Sequence, residues 1–244
     1  MDVLAEYHRR AAGILQDICQ SQPAALLAGA RLAARALSED KLIYIFGCGH
    51  SHMLAEEGFY RAGGLAAVCP VFDEELMLHK GAVRSSRLEK QPGLAGPLLE
   101  RYPVQPGDVL ICVSTSGVNS VPLEMAQAAR AKGMAVVGIA SGAYLPQAAG
   151  APGGRHLSEL CDVWVNNCVP HGDACLRLPG LPAATGPLST IAGAFILNAL
   201  LAQAQELAAQ AGTVPAVYRS GNIPGGAESN QALIRRYAGR IRHL

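Results

Sequence analysis

The chain opens with helical spacing. Over residues 4–20 and 23–37, apolar positions recur every three or four residues. In the second segment Leu26, Leu27, Ala30, Ala34 and Leu37 form one stripe, behind a Pro23 suited to a first helical turn. Ser38-Glu39-Asp40 breaks the pattern, and the period then changes. Leu42-Ile43-Tyr44-Ile45-Phe46 is apolar without alternation, as a parallel strand buried on both faces requires. Val109–Val113 and Ala135–Ala140 repeat that character, and Ala66–Val71 and Asp162–Val165 read as two more strands. Helices are predicted near 120–132, capped by Asn119 or Ser120, and over Pro187–Ala211. Strands alternating with helices predict a doubly wound parallel sheet. Residues 79–107, rich in Pro and Gly, and residues 142–156 read as long loops, which are often functional or mobile. No linker divides the chain. One domain is expected over 1–244, with an N-terminal helical extension to 38, a core over 40–170, and a helix and tail over 171–244.

Composition narrows the class. Of 244 residues, 50% are hydrophobic and 16% charged, which excludes a disordered chain. A net charge of +1 and 5% aromatics argue against a nucleic-acid partner. The longest apolar run, Ile191–Ala202, is shorter than the roughly 20 residues of a membrane span, so no membrane partner is expected. The N-terminus lacks a basic stretch followed by an apolar one. Seven cysteines, an odd number in a chain of this size, do not suggest a disulfide framework. A cytoplasmic location follows. Cys168, His171, Asp173 and Cys175 are spaced in no common zinc pattern, and the flanking pair His50 and His52 is a weak metal signal. No metal and no cofactor is expected.

The chemistry concentrates in two turns, each following a buried strand. Gly47-Cys48-Gly49-His50-Ser51 combines glycines, which permit tight geometry, with a hydroxyl at a helix start. Ser114-Thr115-Ser116-Gly117 supplies more hydroxyls, with Asn119 and Ser120 close behind. Read singly, each is also an ordinary strand-to-helix turn with a Ser or Thr cap. Together they form a neutral cradle able to hold a phosphate. The first is not a dinucleotide fingerprint, because His52 stands where the third glycine belongs, and no Gly-Lys-Ser/Thr makes it a P-loop.

Gly47-x-Gly49-x-Ser51 and Ser114-x-Ser116-Gly117 resemble the two phosphate-binding turns of the sugar isomerase (SIS) domain family. The run from Gly49 through Glu56-Glu57 to Tyr60-Arg61-Ala62-Gly63-Gly64 looks like a bacterial phosphosugar-binding subgroup of that family. The resemblance covers about residues 40–170. It implies a three-layer α/β/α sandwich with a five-stranded parallel, flavodoxin-like sheet, and a homodimer or homotetramer. It also implies a sugar phosphate held by Gly49, His50, Ser51, Ser114, Thr115 and Ser116. The family often has Thr three residues after the last motif serine. Here Asn119 stands there, with Ser120 as a possible substitute.

Aldose–ketose isomerisation needs a base that moves a proton between adjacent carbons, and gains from a group that opens the ring. Glu56 and Glu57 lie about one and a half turns beyond Ser51. Neighbours on a helix point about 100° apart, so one can face inward, and Glu57 is preferred. A solvated helix face is the alternative for both. His79 opens a basic, hydroxyl-rich segment that reads as a lid or a surface loop. His171 is a second candidate for ring opening, or a structural histidine bonded to Asp173. The segment 219–228, with Asn222, Glu228 and the nearby Asn230, is either a contribution to a neighbouring subunit's site or a surface arm. Three functions stay open: a phosphosugar isomerase, a non-catalytic phosphosugar sensor, and a lyase or etherase acting on an amino-sugar phosphate.

Overall fold

The computed structural model describes residues 2–244. Two helices, α1 (Val3–Ser21) and α2 (Pro23–Ser38), precede β1 (Ile43–Gly47) and a short α3 (Met53–Gly58). β2 (Val68–Val71), α4 (Ala82–Leu88), α5 (Ala95–Leu99) and β3 (Val109–Val113) follow. Then come α6 (Ser120–Ala131), β4 (Ala135–Ala140), β5 (Val163–Asn166), α7 (Ser189–Gln210) and α8 (Gly226–Tyr237). The five strands form one parallel sheet in the order β2-β1-β3-β4-β5. This is the expected three-layer architecture.

Period two along the strands sorts their side chains into two cores. Ile43 and Ile45 of β1, with Ile111 and Val137, face α2 and α7. Tyr44 and Phe46, with Leu110 and Cys112, face α5, α6 and α8. Both sets are buried, which explains why β1 and β3 read as apolar runs without alternation. α2 approaches closely because its buried face is Gly and Ala. A Cβ on Gly29 would lie 2.9 Å from a methyl of Leu200 on α7. By length and composition α7 is the one helix among the described residues apolar enough to cross a membrane. Here Ile196, Leu197 and Leu200 are fully buried against the sheet and α2, in the manner of a core helix.

Three segments differ from the sequence expectation. Residues 79–107 carry α4 and α5 rather than one irregular loop. Their apolar stripe is too short for periodicity to register, yet Ala95, Leu98 and Leu99 are buried. Gly142–Gly150, in the second expected loop, is coiled into 3-10 turns. The tail contains α8, whose Tyr237 packs in the core while its charged face hid the helical pattern. The N-terminal helices are also less of an extension than expected, because Ile14 and Ile18 of α1 and the face of α2 belong to the same core as α7.

Asp108 ties the amino ends of the two central strands together. It is 2% exposed, and its carboxylate accepts the N–H of Leu42 at 2.9 Å and of Gln105 at 2.7 Å. Asp108→Ala orphans the buried Leu42 donor and removes the acceptor of the exposed Gln105. It is expected to lower unfolding free energy by about 3 kcal/mol, read from urea denaturation midpoints.

Candidate functional site

The strand order reverses between β1 and β3, so the crevice at their carboxyl ends is the topological switch point where open α/β sheets bind ligands. Both hydroxyl-bearing turns leave from these two strands. The first closes tightly. A Cβ on Gly47 would fall 2.5 Å from the carbonyl oxygen of Ser51, so only glycine fits. Ser51 N–H donates to Cys48 O at 2.9 Å, so this backbone donor is engaged within the turn and the side-chain hydroxyl is what Ser51 offers the cleft. The Nδ1–H of buried His52 donates to Gly49 O at 2.5 Å, which locks the turn from below.

In the second turn, Ser114 Oγ accepts the N–H of Gly117 at 3.2 Å. Gly117 has φ +63°, and a Cβ there would meet His156 Nε2 at 2.6 Å. His156 is fully buried, and desolvation pulls its pKa below the ordinary histidine value. Its ring is packed as a wedge under the turn. Thr115 O accepts Ser141 N–H, which binds the turn to the end of β4.

His50, Ser51, Thr115 and Val113 line a small cleft between the turns. Asn167, Ser189 and Thr190 complete it, and these three were not singled out in the sequence. Asn167 Oδ1 accepts Val169 N–H at 3.1 Å, leaving its Nδ2 as a donor. Ser189 and Thr190 open α7, a 22-residue helix whose positive end faces the cleft. The signal was a Ser-Thr pair at the head of the longest helix. Reading the helix from Pro187 put that pair one turn inside it. Asp173 holds this end in place. Its Oδ1 accepts the N–H groups of Leu188 and Ser189, both at 2.9 Å, and its Oδ2 accepts Ser189 Oγ–H at 2.5 Å.

The other candidates are placed as follows. Gly49, with φ +55°, belongs to the first turn, and half-buried Ser116 belongs to the second. Asn119 and Ser120 are committed to the neighbouring segment. Asn119 Nδ2 donates to Glu89 Oε1 at 2.6 Å, and Ser120 Oγ donates to Lys90 O at 2.9 Å. Neither side chain caps α6. Glu57 accepts Asn198 Nδ2–H from α7 at 2.8 Å and pairs with Arg61, so it turns away from the cleft. Glu56 is exposed, with Oε1 3.4 Å from His52 Nε2. It lines a separate groove with His79, Asp73 and His243. His171 is exposed and stacks on Tyr144 with ring centres 4.6 Å apart, while Asp173 serves α7 rather than His171. Asn230 holds the backbone of Arg219 from both sides, which fixes the tail segment locally. Among the described residues, no three His, Cys, Asp or Glu side chains converge as metal ligands.

The sequence reading passed over Glu89. It stands at the end of α4 and is half-buried, and burial raises its carboxyl above the usual range. The adjoining backbone is clamped to α6, with Val121 N–H on Glu89 O at 3.0 Å and Gly93 N–H on the Glu124 carboxylate at 2.8 Å.

An open parallel sheet with a hydroxyl-lined cleft at its switch point defines the class as a doubly wound α/β protein. The SIS domain model matches residues 6–141. A UPF0309 protein of Halalkalibacterium halodurans is 41% identical over 240 residues, spanning 98% of this chain and 96% of that protein. A UPF0309 protein of Brucella canis is 44% identical over 215 residues, 88% of each chain. The chain belongs to the SIS domain family, in company with the UPF0309 proteins. Among solved structures it resembles phosphoheptose isomerase GmhA from Neisseria gonorrhoeae, with TM-score 0.57 and 17% identity over 84% of this chain and 97% of that one. It also resembles the Vibrio vulnificus NanR protein complexed with ManNAc-6P, with TM-score 0.52 and 17% identity over 98% of this chain and 69% of that one. At such identities these likenesses describe the fold.

Asp173→Ala releases three donors at the head of α7. It is expected to cost about 2–3 kcal/mol of stability, measured by chemical denaturation, with Asp173→Asn losing less because its amide oxygen still accepts.

Proposed function

We propose that this chain binds a sugar phosphate in the cleft between its two turns and interconverts aldose and ketose forms. The observation that carries the binding half is the convergence of Ser51, Thr115, Asn167 and Thr190 on one crevice beside a helix N-terminus, where Ser189 lines the wall with its own donors held by Asp173. The donors are hydroxyls, an amide and the helix dipole, and no lysine or arginine lines the crevice. A phosphate dianion is the anion such a site suits, because many short donors can share its three free oxygens. On this reading Ser116 and Gly49, which belong to the same two turns, add to the cradle, and exposed His50 on the cleft wall meets the sugar.

The isomerase half is supported by the fold shared with phosphoheptose isomerase GmhA and by His50 on the cleft wall. Exposed Glu56 and His79 share a separate groove, and Glu57 is tied to Asn198 and Arg61. A second reading is a non-catalytic phosphosugar sensor. The likeness to NanR complexed with ManNAc-6P favours it. Appearance of an isomeric product separates the two. The protein acts in the cytoplasm as a homodimer or homotetramer on this reading.

Thr115→Val keeps the side-chain shape and removes one donor, and Ser116→Ala removes another. Each is expected to weaken phosphosugar binding about 10- to 100-fold, the equivalent of one charge-assisted hydrogen bond. Isothermal titration across hexose, heptose and amino-sugar phosphates measures this. Unchanged affinity in both variants would show that the phosphate sits elsewhere.

A further inference from the structure

We propose that Glu89 is the carboxylate that moves the proton between C1 and C2, and that Asn119 is the positioning residue that aims it. The inference rests on the isomerase reading above and assigns its base.

Geometry selects this side chain. Glu89 is joined to the end of the second turn: Asn119, two residues past Gly117, donates to its carboxylate at 2.6 Å, and Val121 N–H donates to its carbonyl at 3.0 Å. Its place is not left to a mobile loop. Ser85 Oγ donates to Leu76 O at 2.8 Å, and Val121 N–H, Ser120 Oγ–H and Gly93 N–H fasten residues 89–93 to α6. The carboxylate is therefore held by the same helix that follows the phosphate turn. Its hydrogen-bonding partner is a neutral amide, which orients one oxygen and leaves the other free. Glu56 is open to solvent, and Glu57 is paired with a guanidinium. Each is a poorer base than a half-buried carboxylate without a cation in contact.

The step balances. The free oxygen of Glu89 takes the proton from C2 of the aldose, and the C–H electron pair becomes the C1–C2 double bond of an enediol. The carbonyl electrons move to O1, which gains a proton. Glu89 returns its proton to C1, and the hydroxyl proton on O2 is released as the new carbonyl forms. The proton lost by O2 equals the one gained by O1, and exposed His50 at the mouth of the cleft is placed to relay it. No oxidant or second substrate is needed.

Wild type, Glu89→Gln and Asn119→Ala are incubated in deuterated water with fructose 6-phosphate, ribulose 5-phosphate and sedoheptulose 7-phosphate. Proton NMR follows exchange at the carbon beside the carbonyl, and calorimetry measures binding of the same compounds. Glu89→Gln preserves the acceptor for Asn119, so affinity is expected within threefold of wild type while exchange falls about 10²- to 10⁴-fold. Asn119→Ala is expected to lower kcat with KM within twofold. It also moves the acidic limb of the pH profile upward, because an ionised carboxylate loses its donor. A merely structural role would not move that limb. Exchange by Glu89→Gln at the wild-type rate would overturn the assignment and leave the isomerase reading intact. Wild type that binds these compounds and exchanges none would overturn both.

Stability supplies a readout independent of turnover. Burial raises the folded-state pKa of Glu89, so ionisation opposes folding. That penalty is absent below the unfolded pKa and grows as pH rises through the folded one. Glu89→Gln should match wild type in Tm below the ordinary carboxylate range and exceed it as pH rises from there, the difference levelling off once the folded-state carboxyl is ionised. A Tm difference that does not change with pH would count against a half-buried, proton-binding Glu89.

Discussion

The carboxyl edge of this molecule depends on the absence of a side chain at Gly47. The next turn folds back so closely that its Ser51 carbonyl occupies the space a Cβ would need. This brings Ser51 over the end of β1 and leaves room for Thr115 on the neighbouring β3 to share the same crevice. Gly117 repeats the device from the other side, with His156 filling the volume beneath it. Two strands running parallel in register would otherwise end in two unrelated loops. Two missing methyl groups turn those ends into facing walls.

A second layer of constraint lies outside the turns. Residues 85–93 are not a free flap, since their backbone and side chains are tied to Leu76 on one side and to α6 on the other. Asn119 and Ser120 make much of that connection. Residues that look from spacing like additional ligand donors thus fasten the end of the polar segment 82–91 to the second turn. The division of labour is physical: Ser51 and Thr115 open to the cleft, while Asn119 and Ser120 hold Glu89 and Lys90.

How much of this is readable in the sequence varies with the range of the interaction. β1, β3 and β4 are legible because a strand buried on both faces has no polar alternation to obscure it. Both turns are legible because glycine and hydroxyl residues cluster directly after a buried strand twice in one chain. Glu57 shows where such reading stops. Its spacing from Ser51 is suitable, but a helix position fixes only a direction, and Asn198, 141 residues later, decides what the carboxylate meets. Glu89 fails in the opposite sense. Its segment has no periodicity, and its importance comes from Asn119, 30 residues away. Asn167 and Ser189 are likewise local features of β5 and α7 until the sheet brings their ends together.

The electrostatics of the cleft explain why near-neutral composition suits an anionic ligand. Asp173 already places a carboxylate at the head of α7, where it satisfies Leu188 and Ser189 N–H and orients the Ser189 hydroxyl. That negative charge disfavours an anion drawn in by charge alone. A phosphate gains instead from donors at fixed positions, whose energy falls steeply with distance and angle. Such a site selects by shape rather than by net attraction, and it is less exposed to screening by salt than a cluster of lysines would be. It also leaves the neighbouring Glu89 without a cation in contact. A lysine or arginine close enough to strengthen phosphate binding would stabilise the carboxylate's charge and weaken it as a base. On the proposed reading, holding the phosphate with hydroxyls and a helix end keeps binding and proton transfer from competing.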